Sequence, residues 1–301
     1  MTHALQAIDL GKRYGRQWAL QDCSLTLPKG RVAALVGPNG AGKTTLLHLA
    51  VGLAVPSSGH IEVFGWSPRR QATLVLPRAG FVAQDHPLYR NFTVHEMLGM
   101  GRRLNPHWDD DMARGRLKRL GIPIERKVGK LSGGQQAQVA LVMTLAKRPE
   151  LVLLDEPLAA LDPLARREFL RTLMEAVAED GLTVLLSSHI IAELERVCDY
   201  LIILSSSRVQ LTGDIEELAA KHKLLVGPRR DEDAVAHVHN VVQVSHTERQ
   251  TTLLVRLNGH IFDSSWEVHD VPLEEIVLAY LGRPAYQAWE VPERDTEEVP
   301  A

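Results

Sequence analysis

The chain has 301 residues, 34 of them basic and 37 acidic, for a net charge of −3, with 45% hydrophobic residues and two cysteines. That length accommodates one large α/β domain and a smaller one. The near-neutral balance excludes the basic footprint of a nucleic-acid binder, and Cys23 and Cys198 lack metal-ligand spacing, so they read as buried or free thiols in a reducing compartment.

Residues 4–10 and 18–27 have the pattern of two strands joined by Gly11–Gly15. Tyr14 in that loop offers a ring that can stack on a base or simply lie half-buried. Arg31–Val36 is a short apolar run of the kind found in buried parallel strands. Next comes Gly37-Pro38-Asn39-Gly40-Ala41-Gly42-Lys43-Thr44-Thr45, and Leu46–Ala50 continues as a helix. Gly, four residues, then Gly-Lys-Thr is the spacing of a phosphate loop, and strand, turn and helix are the context it needs. Glycines let the backbone turn its amides around a phosphate. The helix starting near Lys43 adds its positive end, the Lys43 ammonium reaches the outer phosphates, and the Thr44 hydroxyl can hold Mg²⁺. The motif implies a nucleoside triphosphate without saying what its energy is used for.

Ser57–His60 reads as a turn and Ile61–Gly65 as an alternating strand. A second apolar run, residues 79–83, ends at Gln84, whose amide can coordinate Mg²⁺ or orient a water. The Pro87-containing loop from His86 to Asn91 is expected to be mobile. Residues 93–147 then read as a helical insertion. Thr93-x-x-Glu96 is a capping box opening a helix through Leu104, and Asp109–Asp111 open another that Lys118, Arg119 and Gly121 close. Leu131-Ser132-Gly133-Gly134-Gln135 precedes a helix from Gln136 to Lys147, so free amides and a hydroxyl stand at a helix N-terminus, a second anion site or an ordinary junction.

Leu151–Leu154 is another buried strand, tipped by Asp155 and Glu156. The first carboxylate can hold Mg²⁺ through water and the second can accept a proton from an attacking water. Leu161-Asp162-Pro163 leads into a helix over 164–179; 183–188 is a strand with His189 at its tip; 200–204 and 208–211 are strands; 213–222 is a helix. Residues 241–244 and 251–257 alternate like a hairpin, 272–281 has helical spacing, and acids and prolines from Glu290 onward suggest a frayed end. His237 and His239 stand two apart, yet no further ligands gather beside them.

Met1–Leu5 lacks the layout of a secretory leader. Apolar runs such as Val139–Met143, which stops at Thr144, fall far short of the ~18–20 residues that span a bilayer. Any membrane part is expected on another chain.

Phosphate loop, Gln84, Leu-Ser-Gly-Gly-Gln at 131–135, Asp155-Glu156, Leu161-Asp162 and Ser188-His189 occur in the order seen in ABC ATPases. Over residues 3–222 the chain resembles the nucleotide-binding subunit of an ABC transporter, with the five-residue signature carrying most of the specificity. The resemblance implies a P-loop NTPase fold: a mostly parallel core sheet, an N-terminal antiparallel β portion and a helical signature subdomain at about 93–147. A small α+β extension follows over 223–301, after an ATPase domain of 1–222. It makes Tyr14 the adenine-stacking ring, Gly37–Thr45 the Walker A loop, Thr44, Gln84 and Asp155 the magnesium ligands, and Glu156 the catalytic base. Lys43, Gln84 and His189 join Glu156 in catalysis, and Ser132, Gly133, Gly134, Gln135 and Asp162 contact nucleotide across a dimer. ATP and Mg²⁺ are the implied cofactors. The implied partners are a second copy or a related ABC ATPase and a separate transmembrane permease, with no nucleic acid. The implied place is the cytoplasm, at the inner face of the membrane.

Two positions depart from the family pattern: Ala159 stands where Ser is common and Gln138 where Arg is common, and neither removes a catalytic group. The C-terminal helix at Leu273–Val277 resembles those on ATPases of multidrug, antibiotic and ABC-2-type exporters, which points to export. The alternative is a non-transport ABC ATPase of nucleic-acid repair, translation or cofactor assembly. Translation types carry two cassettes where this chain has one Walker A, and repair types separate their motifs by long coiled coils where 88 residues lie between Thr44 and Gly133. A nucleotide-gated scaffold without useful hydrolysis is opposed by intact Glu156 and His189.

Overall fold

The computed structural model describes residues 3–188, 190–229, 239–259 and 265–282. Three sheets and their helices make up this part of the chain. The central sheet has six strands: β3 (Val32–Val36), β5 (Ala79–Val82), β6 (Leu151–Leu154), β7 (Thr183–Ser187), β8 (Tyr200–Ser205) and β9 (Arg208–Asp214). Their order is β5-β6-β7-β3-β8-β9; every pair is parallel except β8 with β9. β3, β6 and β7 are buried at every position, which is why they read as unbroken apolar runs.

β1 (His3–Tyr14), β2 (Gln17–Pro28) and β4 (Ser58–Val63) form an antiparallel sheet in the order β2-β1-β4. The loop expected at Gly11–Gly15 is mostly strand: β1 runs on to Tyr14, which pairs with Gln17 across a tight turn. β4 likewise begins at Ser58, inside the expected turn, because β1 offers it a partner as far as Gly11. This sheet and the inner face of β3 bury Leu5, Leu10, Leu20 and Leu27 against α1 (Lys43–Ala50).

After α2 (Ala72–Val75) the chain builds α3 (Val94–Leu104), α4 (Asp110–Arg119) and α5 (Gly133–Ala146), which share a core of Val94, Leu98, Leu117 and Val139. The capping box at Thr93–Glu96 forms as read. α5 begins three residues earlier than expected because Ser132 and Gln135 make a second capping box, which starts the helix at Gly133. α6 (Pro163–Asp180) is capped by Asp162 and ended by Gly181 in the left-handed region. Two arginines tie the helical subdomain to α6. Arg116, only 2% exposed, donates to the Thr172 carbonyl at 3.2 Å and to Glu179 at 2.7 Å. Arg148 bridges Asp109 at 2.6 Å and Asp180 at 2.8 Å.

A short α7 (Ile191–Leu194) precedes β8, and α8 (Ile215–Lys221) follows β9. His222, read as a helix end, instead starts β10 (His222–Pro228). The third sheet adds β11 (Asn240–His246), β12 (Gln250–Arg256) and β13 (Glu267–Asp270) in the antiparallel order β11-β12-β10-β13. The hairpin expected from alternation is β11-β12. α9 (Leu273–Leu281) packs Ile276, Val277 and Tyr280 into the same core as Leu201 and Ile203 of β8. The Tyr280 hydroxyl meets His222 Nε2 at 3.0 Å.

Candidate active site

Parallel strands present their C-terminal tips along one edge, and ligands bind there. β3, β5, β6 and β7 deliver the phosphate loop, Gln84, Asp155-Glu156 and Ser187-Ser188 to that edge. His189 follows in sequence but lies outside the described residues.

The loop leaves β3 at Gly37, where a Cβ would overlap the Leu204 carbonyl of the neighbouring strand. It enters α1 at Gly42, whose φ of 105° suits glycine alone and whose missing Cβ makes room for Ala19 and Leu20. Lys43 is 6% exposed and its ammonium has three donors. They meet the Gly37 carbonyl at 2.7 Å, the Pro38 carbonyl at 3.3 Å and a Glu156 carboxylate oxygen at 3.2 Å. The protein's own acceptors therefore surround the cation that phosphate would claim.

A cavity of about 530 Å³ opens over this loop. Asn39, Gly40, Gly42, Lys43, Thr44 and Thr45 line its floor, Gln84 and Glu156 one wall, and Tyr14 its mouth. Tyr14 is 54% exposed, and the Lys12 ammonium lies over its ring, 4.9 Å from the centre. Pro38 and Ala41 complete the loop through the hydrogen bond from the Ala41 amide to the Pro38 carbonyl. Gln17 and Trp18 also line the cavity, and the sequence reading missed both. Tyr14 pairs with Gln17 and Arg13 with Trp18, so a hairpin turn carries β2 back past the aromatic mouth. The signal was two aromatics flanking Gly15-Arg16. Ala159, one of the two departures, lines the cavity as well.

Asp155 is 2% exposed, and its Oδ1 accepts a hydrogen bond from the Ser187 hydroxyl at 3.0 Å. Glu156 has a φ of 46°, a left-handed backbone uncommon for a long side chain. The other expected nucleotide contacts lie elsewhere. Among the described residues, Ser132, Gly133, Gly134, Gln135 and Asp162 do not line the cavity. The Ser132 hydroxyl oxygen accepts from the Gln135 amide, and Asp162 Oδ1 accepts from the amides of Leu164 and Ala165. Gln138 is buried and its amide finds no hydrogen-bond partner among the described residues.

The thiols are free and buried, and burial pushes Cys198 up to about 12. No group of three or more His, Cys, Asp or Glu able to hold a metal gathers among the described residues. His237 lies outside them, and His239 accepts from the Asn258 amide at 3.3 Å.

A family profile described as "ABC transporter" matches residues 20–159, and one described as an AAA domain covers 124–195. The bacitracin transport ATP-binding protein BcrA of Bacillus licheniformis is 30% identical over 224 residues, 74% of this chain and 72% of that protein. The chain belongs to the ATP-binding subunits of ABC transporters. This ATP-binding subunit binds and hydrolyses ATP, as its family does. It is also similar to the ABC transporter ATP-binding protein YtrB of Bacillus subtilis, 28% identical over 282 residues, 91% of this chain and 96% of that one. The sulfate/thiosulfate import ATP-binding protein CysA of Salmonella typhi is 34% identical over 216 residues, 69% of this chain but only 59% of its own length. Among solved structures, cbiO1 of Clostridium perfringens, part of the complex cbiONQ, matches with a TM-score of 0.64 and 29% identity over 73% of this chain and 92% of that one.

Proposed function

We propose that this ABC ATPase works in pairs to drive a separate transmembrane permease. Two copies, or one copy and a related ATPase, face each other and clasp two ATP molecules. Each nucleotide sits on Gly37–Thr45 of one chain with its base on Tyr14, under Ser132–Gln135 and Asp162 of the other. One observation carries the pairing: the cavity gathers Lys43, Thr44, Gln84 and Glu156 but not the exposed signature at Ser132 and Gly133. Leu164, beside Asp162, is an apolar side chain 68% exposed on the same flank.

Oxygen donors suit magnesium, and the Thr44 hydroxyl, the Gln84 carboxamide and the buried Asp155 carboxylate are such a set. That ion, when bound, supplies charge neutralisation on the phosphates. Glu156 takes the proton of the attacking water, Gln84 orients that water, and Lys43 and His189 stabilise charge on the phosphoryl group in transfer. His189 enters on the sequence alone.

An apolar cavity of about 580 Å³ lies between the central sheet and α3, lined by Phe81, Leu76, Met97, Met100, Leu104 and His86. Its lining includes Ala83 and His86, on either side of Gln84 and Asp85 in sequence, so a permease helix seated there is in reach of the catalytic wall. Burial holds the His86 imidazole below its usual value, and its Nε2 has no hydrogen-bond partner among the described residues. Those residues include no helix long and apolar enough to cross a membrane. In this reading the permease partner makes the crossing and this subunit works at the cytoplasmic face. Export is supported by the likeness of the C-terminal helix at Leu273–Val277 to those on exporter ATPases. The division into an ATPase body of 1–222 and an extension of 223–301 belongs to the same proposal.

Glu156→Gln tests the reading. General-base removal lowers kcat by about 10²–10⁴-fold while ATP still binds and, in a sedimentation experiment, pairs the chains. Full turnover in that variant rejects the base; hydrolysis by a strict monomer rejects the pairing.

A further inference from the structure

The parallel register of β6 and β7 sets Leu154 beside Leu186, so the next residues, Asp155 and Ser187, come off the sheet side by side. Ser187 is completely buried. Its hydroxyl accepts a hydrogen bond from the Glu156 amide at 2.8 Å and donates to Asp155 Oδ1 at 3.0 Å. The direction is forced: an amide can only donate, so the hydroxyl proton is left for the carboxylate. One small side chain thus touches both acids of the site, one through its carboxylate and the other through its backbone.

We propose that Ser187 is a positioning residue for hydrolysis, orienting the carboxylate of Asp155 and holding Glu156 at the angle from which it meets the attacking water. This rests on the roles given above to Asp155 and Glu156. The Glu156 backbone supplies a reason for such a tether. A non-glycine residue at a φ of 46° persists only where its surroundings over-determine it, and the bond from its amide to Ser187 is one such constraint. Without the hydroxyl, a buried amide loses its acceptor and one oxygen of Asp155 its donor. Both acids then turn more freely, and the Glu156 carboxylate, 3.2 Å from Lys43, loses its fixed approach. A sequence scan passes over Ser187 because it looks like the polar end of an apolar strand.

Threonine and valine have nearly the same shape, and both suit a buried strand, so Ser187→Thr and Ser187→Val differ chiefly in the hydroxyl. Steady-state ATP hydrolysis is measured first. Then, in a Glu156→Gln background that blocks turnover, retention of Mn²⁺ with ATP is read from the free-Mn²⁺ signal in electron paramagnetic resonance. Outer-shell groups that orient metal ligands are worth about 10–100-fold. Ser187→Thr is expected to keep kcat within about threefold of the native protein. Ser187→Val is expected to lose kcat by about 10–100-fold at a KM for ATP changed less than about threefold, and to hold Mn²⁺ about tenfold more weakly. Both variants should melt cooperatively, with Ser187→Val the lower of the two because a buried amide and a carboxylate oxygen lose their partner. Equal behaviour of the two variants in both readouts, whether high or low, overturns the inference. If the larger side chains do not fit, Ser187→Ala replaces them, and kcat and Mn²⁺ retention within about twofold of native overturn it. Glu156→Gln alone separates the two levels: full turnover there sinks the site, whereas lost turnover with matching Thr and Val variants sinks only Ser187.

Discussion

Neutralising Glu156 should tighten the grip on ADP. The Lys43–Glu156 pair, 3.2 Å apart with side chains 6% and 10% exposed, occupies the cation that a β-phosphate needs. At an effective dielectric of ~20 the gross attraction at that distance is about 5 kcal/mol. Desolvation offsets most of it, leaving a net contribution of about 1–2 kcal/mol. Phosphate must displace this pair, whereas in Glu156→Gln it displaces only a neutral amide. ADP should therefore bind the variant about 5–30-fold more tightly. ADP is the right probe because it reaches Lys43 without the γ-phosphate that draws a second chain. Calorimetric titrations with ADP and with adenosine, which has no phosphate, make the comparison. Equal ADP affinities within about twofold, or an equal gain for adenosine, would refute the competition.

Three further outcomes are expected. Tyr14→Ala should weaken ATP binding by about 1–2 kcal/mol while Tyr14→Phe stays near native, since the stacking face and not the hydroxyl is used; calorimetry decides. Asp109 is held below the usual carboxylate range by the Met112 amide first and by Arg148 next. Its stabilisation is therefore present above the unfolded-state value and lost as pH falls through the lower folded one, so Asp109→Ala should cost about 1–2 kcal/mol at pH 7 and progressively less toward pH 3 in urea titrations. Burial pushes the Cys198 thiol up to about 12 and Cys23 above its usual value. At pH 8 the Cys198 thiolate fraction is about 10⁻⁴, so iodoacetamide should label neither cysteine until the chain is denatured, and rapid native labelling seen by mass spectrometry would contradict the burial.

Much of the site could be read in the sequence because its parts are local. A phosphate loop is nine consecutive residues, and Asp155-Glu156 sit directly on the four apolar residues that place them. What escaped notice depends on long-range pairing. Trp18 reaches the cavity only because β1 runs on to Tyr14 and turns back. Ser187 meets Asp155 only through the register of two strands 32 residues apart in sequence. β10 and β13 pair across more than 40 residues, and neither is long or apolar enough to announce itself alone. Ser132 sits at a helix start as its sequence context implies, and capping uses its oxygen as an acceptor, which leaves the hydroxyl proton to donate.

The seat of α9 changes what the C-terminal segment can be taken for. Ile276, Val277 and Tyr280 fill the flank of β8, and β8 is the strand whose Leu204 carbonyl abuts Gly37. A shortened protein ending near residue 222 would not be a trimmed ATPase; it would be one with a wall removed, its apolar lining open to water on the face of β8 opposite the one that packs against α1. Grafting another relative's tail onto this body would have to carry that wall across with it.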